Sequence, residues 1–183
     1  MSDRRYVRGV STAAVAAAFL MLLLWQRAHG GVPSHHLFDR ADLPAFSNWW
    51  GGLLLPLMTW FLIGRTQKRI ALQGEGARRY ALFGFAAAVL FGVLLSVFFT
   101  LDIEAVSNGM FESLFLLALF LPIYRAECLL GLVLGMAYTF GGVLPSIIGS
   151  VMALITMVIY CYVRAWLLCI GYSFAGMFKR SRT

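Results

Sequence analysis

Charged residues are scarce in this chain. They make up 13% of its 183 residues, against about 25% in a soluble domain. With 61% of residues hydrophobic and a mean hydropathy of +0.81, a water-facing surface cannot be assembled from that supply. The solvent for most side chains is therefore lipid. Cysteine and histidine are scarcer still, three of each. Cys128, Cys161 and Cys169 form no CxxC pair. Their odd number and apolar surroundings argue against a disulfide framework, and they read as small apolar residues. There is no HExxH, HxxxH, GxSxG, Walker or dinucleotide-glycine motif, so the reactions those motifs carry have no support. No histidine lies inside an apolar block, which excludes a bis-histidine haem between facing helices. The longest polar connector, residues 26–48, is too short for a second globular domain.

What is present is a regular alternation of apolar blocks and short polar connectors. The chain reads as a single integral-membrane domain over 1–183, an all-α polytopic bundle of about six spans. These lie near 10–25, 49–63, 80–101, 110–124, 128–142 and 145–163. The block at 80–101 is the clearest: about 22 residues reach roughly 33 Å, enough to cross a bilayer core. Arg4, Arg5 and Arg8 precede the first block, as in a secretory signal, but Gln26, Arg27 and Ala28 supply no small-residue cleavage site. It reads as an uncleaved signal anchor with the N-terminus inside. The tail at 165–178 is too short for a seventh span and reads as an interfacial extension of the sixth helix.

Charge sorting fixes the expected orientation. With six crossings, all of the fifteen Lys and Arg residues except Arg27 and Arg40 fall on one side. All three histidines, with Asp39, Asp42, Asp102, Glu104 and Glu112, fall on the other. The positive-inside bias makes the basic side cytoplasmic. Both termini are then cytoplasmic and the membrane is the plasma membrane, or the inner membrane of a bacterium. The net charge of +7 suits anionic lipid headgroups, and nothing resembles a nucleic-acid motif.

Local signals fill in the connectors. Pro33-Ser34 resembles a short-helix start with Ser34 as cap, and Ser47-Asn48 resembles the cap of the second span. Trp49 and Trp50 suit an interfacial aromatic belt. Pro56 lies mid-span, where neighbouring helices can re-satisfy a freed carbonyl. Residues 64–79 read as a basic inner loop broken at Gln73-Gly74-Glu75-Gly76. Met110 to Gly142 reads as a hairpin of two tilted or re-entrant segments meeting at Arg125 and Glu127, the alternative being one long helix with that pair buried. Gly51-Gly52-Leu53-Leu54-Leu55-Pro56 echoes Gly141-Gly142-Val143-Leu144-Pro145, a weak hint of an internal repeat.

Four groups of residues are candidates for function. His35, His36, Asp39, Asp102, Glu104 and Glu112 share the outer side and offer the donor set of a divalent metal such as zinc, iron or manganese. Within it, His36 and Asp39 would face one way on a helical turn. Together with Glu112 they are the candidate catalytic residues; solvated loop charges are the simpler reading. Arg65, Lys68, Arg69, Arg78, Arg79 and Arg125 are candidate lipid or anion contacts on the inner rim, with Glu127 expected to neutralise Arg125. Gly131, Gly135, Gly142, Ser146 and Gly149 form a small-residue seam for helix packing, within the chain or in a homo-oligomer. Tyr138, Thr139, Ser146, Ser150 and Thr156 would line a polar pathway if one exists.

Two functions are consistent with this pattern. One is a non-enzymatic membrane protein that binds or passes a small solute or lipid, or serves as a subunit of a membrane complex. The other is a membrane enzyme with an outward-facing site of His36, Asp39 and Glu112.

Overall fold

The computed structural model describes residues 2–29, 34–36, 45–167 and 169–170. Helix α1 spans Ser2–Ala28 and α2 spans Trp49–Gln73. Helix α3 covers Glu75–Thr100, α4 Glu104–Phe120, α5 Ala126–Phe140 and α6 Val143–Val158. A π-helical stretch, Ile159–Val163, carries α6 onward. Three helices are long and apolar enough to cross a membrane, Asp3–Ala28, Glu75–Thr100 and Val143–Leu167. This is compatible with a membrane protein.

Several boundaries differ from the sequence reading. Residues 64–79 are not a loop: α2 runs to Gln73 and α3 begins at Glu75. The basic stretch is rich in Arg, Lys, Gln, Leu and Ala, all strong helix formers. The only interruption is Gly74 at φ 82°, a left-handed conformation that glycine tolerates at little cost. Helix α4 starts at Glu104 instead of Met110. The turn before it places Asp102 at φ 58°, which Asp adopts more readily than most residues, and Glu104 then complements the dipole of the first turn. Ser34 does not cap a helix. Ser34–His36 is a strand, β1, paired antiparallel with Ala45–Ser47, β2, in the register Ser34–Ser47, His35–Phe46, His36–Ala45. The His36–Asp39 helical turn is therefore not formed at His36, and Asp39 lies outside the described residues. Met110 to Gly142 is broken, with Leu121 and Arg125 both extended between α4 and α5.

Helices α1 and α2 pack antiparallel. Phe19 lies against Gly51, Leu23 against Gly52, and Arg8 against Gly64. Phe19, Leu23, Leu55, Val133 and Ala137 form a buried cluster joining α1, α2 and α5. Helix α2 continues through Pro56, and Thr59 adds a hydrogen bond of 2.8 Å to the Leu55 carbonyl beside it.

The tightest seam joins α3 and α5, which run parallel. A Cβ on Gly131 would sit 2.5 Å from the Phe85 carbonyl oxygen, and one on Gly135 would sit 2.5 Å from that of Val89. Gly135 and Gly92 bring their backbones together, and Phe99 packs on Phe140 at 4.7 Å further along. In lipid there is no hydrophobic drive between helices, so such close backbone approach and its dispersion contacts hold them together. Exposed positions carry the bulk instead: Leu53, Phe83, Phe120 and Leu154 are all more than half exposed. Large apolar groups outward with small groups in the α3–α5 seam is an arrangement that lipid favours and water punishes.

The α3–α5 register is testable by cross-linking. A Cβ at position 84 would lie 3.2 Å from Cys128 Sγ, within reach of a disulfide. With Cys161 and Cys169 changed to serine, Gly84→Cys is expected to form an intramolecular disulfide with Cys128 on mild oxidation, read as a mobility shift without reductant. A protein that stays reduced, or that links only between chains, contradicts this packing.

Candidate functional site

Contacts sort the polar groups to two ends of the bundle. At one end Gln67 of α2 donates to the Arg4 carbonyl at 2.9 Å, and Arg8 Nε donates to the Trp60 carbonyl at 2.7 Å. Tyr124 packs on Tyr160 at the same end, and the Arg164 guanidinium lies over Tyr160 at 4.7 Å. At the opposite end Gln26, Asn48 and Gly142 meet.

The basic end holds the candidate site. Glu127 opens α5 and is buried, with 6% of its side chain exposed. A carboxylate removed from water needs a cation and hydrogen bonds. Arg69 of α2 supplies the cation: its Nη1 donates to Glu127 Oε1 at 2.5 Å. Thr66, one turn earlier on the same face of α2, lies 3.3 Å from Glu127 Oε2 and 3.0 Å from the Leu62 carbonyl. Its one hydroxyl proton serves either acceptor. Cys128 and the backbone of Gly84 complete the surroundings. Arg69 Nε and Nη2 are buried with no acceptor among the described residues, so the guanidinium has more donors than Glu127 uses.

This revises the expected role of both charges. Arg69 turns inward to Glu127 instead of outward to lipid. Arg125, at the N-cap of α5, is not the partner of Glu127. Adjacency along the chain favoured Arg125, but the side chain of Glu127 faces α2. Arg65, Lys68, Arg78 and Arg79 are exposed, and Arg78 approaches Glu75 only loosely at 3.9 Å.

At the opposite end the decisive residue is Asn48, which the sequence reading took for a helix cap. It stands at the N-cap of α2 but makes no capping bond. It is buried, and its Oδ1 accepts from the Gly142 backbone N–H at 2.8 Å while Nδ2 donates to Gln26 at 3.3 Å. Gly141, at φ 74°, leaves room where a Cβ would collide with the Asn48 amide. The Gly-Gly echo has a physical explanation here. Gly51 and Gly142 face each other, so that a Cβ on Gly51 would sit 2.9 Å from Gly142 Cα. The two similar segments are the two sides of one close contact.

The described outer carboxylates form no metal-holding cluster. Asp102, Glu104 and Glu112 are exposed, and no three His, Cys, Asp or Glu residues among those described could hold a metal. Glu112 is not in the first turn of α4 but about 12 Å along it. His29 stacks on Trp25 at 4.7 Å. Three of the five hydroxyls offered as a pathway, those on α6, bond to carbonyls of their own helix. Ser146 donates to the Gly142 carbonyl at 2.6 Å, Ser150 to that of Ser146 at 2.6 Å, and Thr156 to that of Met152 at 2.7 Å. Gly149 packs on Leu129 and Val133.

No protein-family model, curated protein or solved structure matches this chain. The functional reading therefore rests on the geometry.

Arg69→Leu is expected to cost about 3–5 kcal/mol of stability, because it leaves the Glu127 charge buried and unpaired. Arg69→Lys keeps a cation within reach and is expected to recover part of that loss. Thermal unfolding in detergent measures both. Equal midpoints for the wild type and Arg69→Leu would show that the pair carries no structural weight.

Proposed function

We propose that this chain is a multi-pass membrane protein of six embedded helices, with its basic end and both termini in the cytoplasm. In this reading it belongs to the plasma membrane, or to the inner membrane if bacterial. It works without catalysis, holding a lipid or small solute or serving as a subunit of a membrane complex. One observation carries the proposal: Arg4, Arg8, Lys68, Arg69, Arg125 and Arg164 belong to one end of the bundle, and large apolar side chains clothe the helices between the ends.

Several features favour a holder over a conduit. The α3–α5 seam is closed by backbone contact, and the hydroxyls of α6 are engaged within their own helix. A conduit needs polar groups turned toward a path, and an ion pump commonly places a carboxylate mid-membrane. The buried carboxylate here is Glu127, near the basic end and already paired. Helices α4 and α5, of 17 and 15 residues, are shorter than a bilayer core needs. They fit the reading as crossings shielded by α3 and α6, with local thinning or interfacial anchoring at their ends.

Orientation is the property to measure. In a chain whose three cysteines are replaced by serine, Glu75→Cys and Glu104→Cys flank α3 at its two ends. In intact cells a membrane-impermeant maleimide is expected to label position 104 and to reach position 75 only after permeabilisation. The opposite pattern overturns the sidedness. Labelling of both positions from outside overturns the crossing of α3.

A further inference from the structure

A groove of about 450 Å³ lies between α1 and α2 at the basic end. Arg4, Arg8, Gln67 and Lys68 line it, with Ala71 and Leu72 as an apolar border. No carboxylate lines it. Asp3, adjacent to Arg4 in sequence, and Glu75, next along from α2, are not among the lining residues. Three cations and an amide donor thus share one concavity, which leaves a surplus of positive charge among the described residues.

The groove is also built to hold one of those cations in place. Arg8 spends its Nε on the Trp60 carbonyl at 2.7 Å. Its guanidinium lies 4.0 Å over the Trp60 ring. Beneath it Gly64 leaves a flat seat, where a Cβ would come within 2.8 Å of the guanidinium carbon. Among the described residues no acceptor engages the terminal amino groups of Arg8. A guanidinium fixed by stacking, with its fork of donors still available, is pre-organised for an oxyanion, since little further ordering is needed on binding. Gln67 contributes differently: its amide ties the Arg4 backbone to α2 at 2.9 Å, which keeps the Arg4 side chain at the mouth of the groove. Leu72 is 87% exposed beside these charges. A groove whose exposed lining is mostly apolar, carrying three cationic side chains, suits a ligand with both a charged head and a hydrocarbon body.

We propose that this groove binds a phosphate of net negative charge, with no cationic headgroup beside it, through Arg4, Arg8 and Lys68. Its source is an anionic phospholipid headgroup, or a soluble phosphate drawn from the same chemistry. The lipid source rests on the reading that this end of the bundle meets the cytoplasmic leaflet; the phosphate site itself does not.

The test uses the full chain in neutral detergent. Binding of phosphatidylglycerol is compared with that of phosphatidylcholine and of inorganic phosphate, by native mass spectrometry and by the shift in thermal midpoint. Phosphatidylglycerol is expected to bind and stabilise, and phosphatidylcholine is not. Arg4→Gln with Lys68→Gln, both exposed and free of buried contacts, is expected to weaken binding by about thirtyfold, two phosphate-facing cations being lost. Arg78→Gln with Arg79→Gln removes as much charge from the same end outside the groove and is expected to change binding less than about twofold. Arg8→Gln tests the fixed guanidinium; because it also alters packing on Trp60, its folding is checked by midpoint without ligand. Inorganic phosphate giving the same Arg4- and Lys68-dependent shift identifies a soluble ligand for the same site. Equal binding of phosphatidylcholine, or equal losses from the two double variants, overturns the proposal. Because the assay is done in detergent, that failure leaves the sidedness untouched, and a reversed labelling pattern leaves the phosphate site standing.

Discussion

A buried carboxylate is the constraint around which the basic end is arranged. Glu127 lies in a chain that has few charges to spend, and away from water it is tolerable only beside a cation. Arg69 answers it from α2, 58 residues earlier. The pair need not add net stability. Replacing a buried ion pair with apolar groups of similar size is often neutral or better, whereas breaking it is costly. Its value lies in selectivity: only one rotation and one height of α2 bring Arg69 and Thr66 to Glu127. Since α5 is fastened to α3 through Gly131 and Gly135, fixing α2 on α5 sets three helices at once.

The opposite end uses the same logic without charge. Asn48 begins α2 and reaches the backbone of Gly142, where α6 begins, while Gln26 holds it from the end of α1. Gly51 and Gly142 let the two helices approach until backbones touch. Between these two polar clasps the contacts are among small residues and a short apolar cluster. Bulky side chains are left to face outward, where lipid solvates them as well as a protein interior would. The cations divide between groove, core and surface at one end of the bundle. Arg4, Arg8 and Lys68 surround the α1–α2 groove, Arg69 is committed to Glu127, and Arg65, Arg78 and Arg79 stay on the surface.

The succession of apolar helices was legible in the sequence because hydropathy reports it directly. So was the break between α4 and α5 at Arg125, where Pro122 and the charges interrupt an apolar run. Helix ends were less legible. Residues 64–73 read as loop because their charges signalled an interface, yet charge and helix are compatible when the residues are Arg, Lys and Gln. The start of α4 was masked by polar Ser107 and Asn108, which lower hydropathy without ending a helix. Ser34 carried a cap signal, but its segment pairs with Ala45–Ser47, a partner that local signals do not reveal.

The site was less legible still, for a reason common to buried polar groups. Sequence shows that Glu127 needs a cation but not which of several arginines points at it; Arg125 is nearer along the chain and Arg69 nearer in space. Asn48 has the composition of a cap and the position of a cap, and only the arrival of Gly142 diverts its side chain. The matching Gly-Gly segments suggested repetition, whereas they record a mutual requirement for absent side chains. In each case the missing information is the pairing of distant segments, which no local window contains.

The claim that Glu127 and Arg69 depend on each other is tested most directly by a double-mutant cycle. Unfolding free energies in mixed micelles are compared for the wild type, Arg69→Leu, Glu127→Leu and the double variant. The account predicts a double variant more stable than the two single losses would sum to, with a coupling of at least about 1 kcal/mol. Losses that add to within about 0.5 kcal/mol would contradict it, because two residues that do not sense each other cannot be what sets α2 against α5.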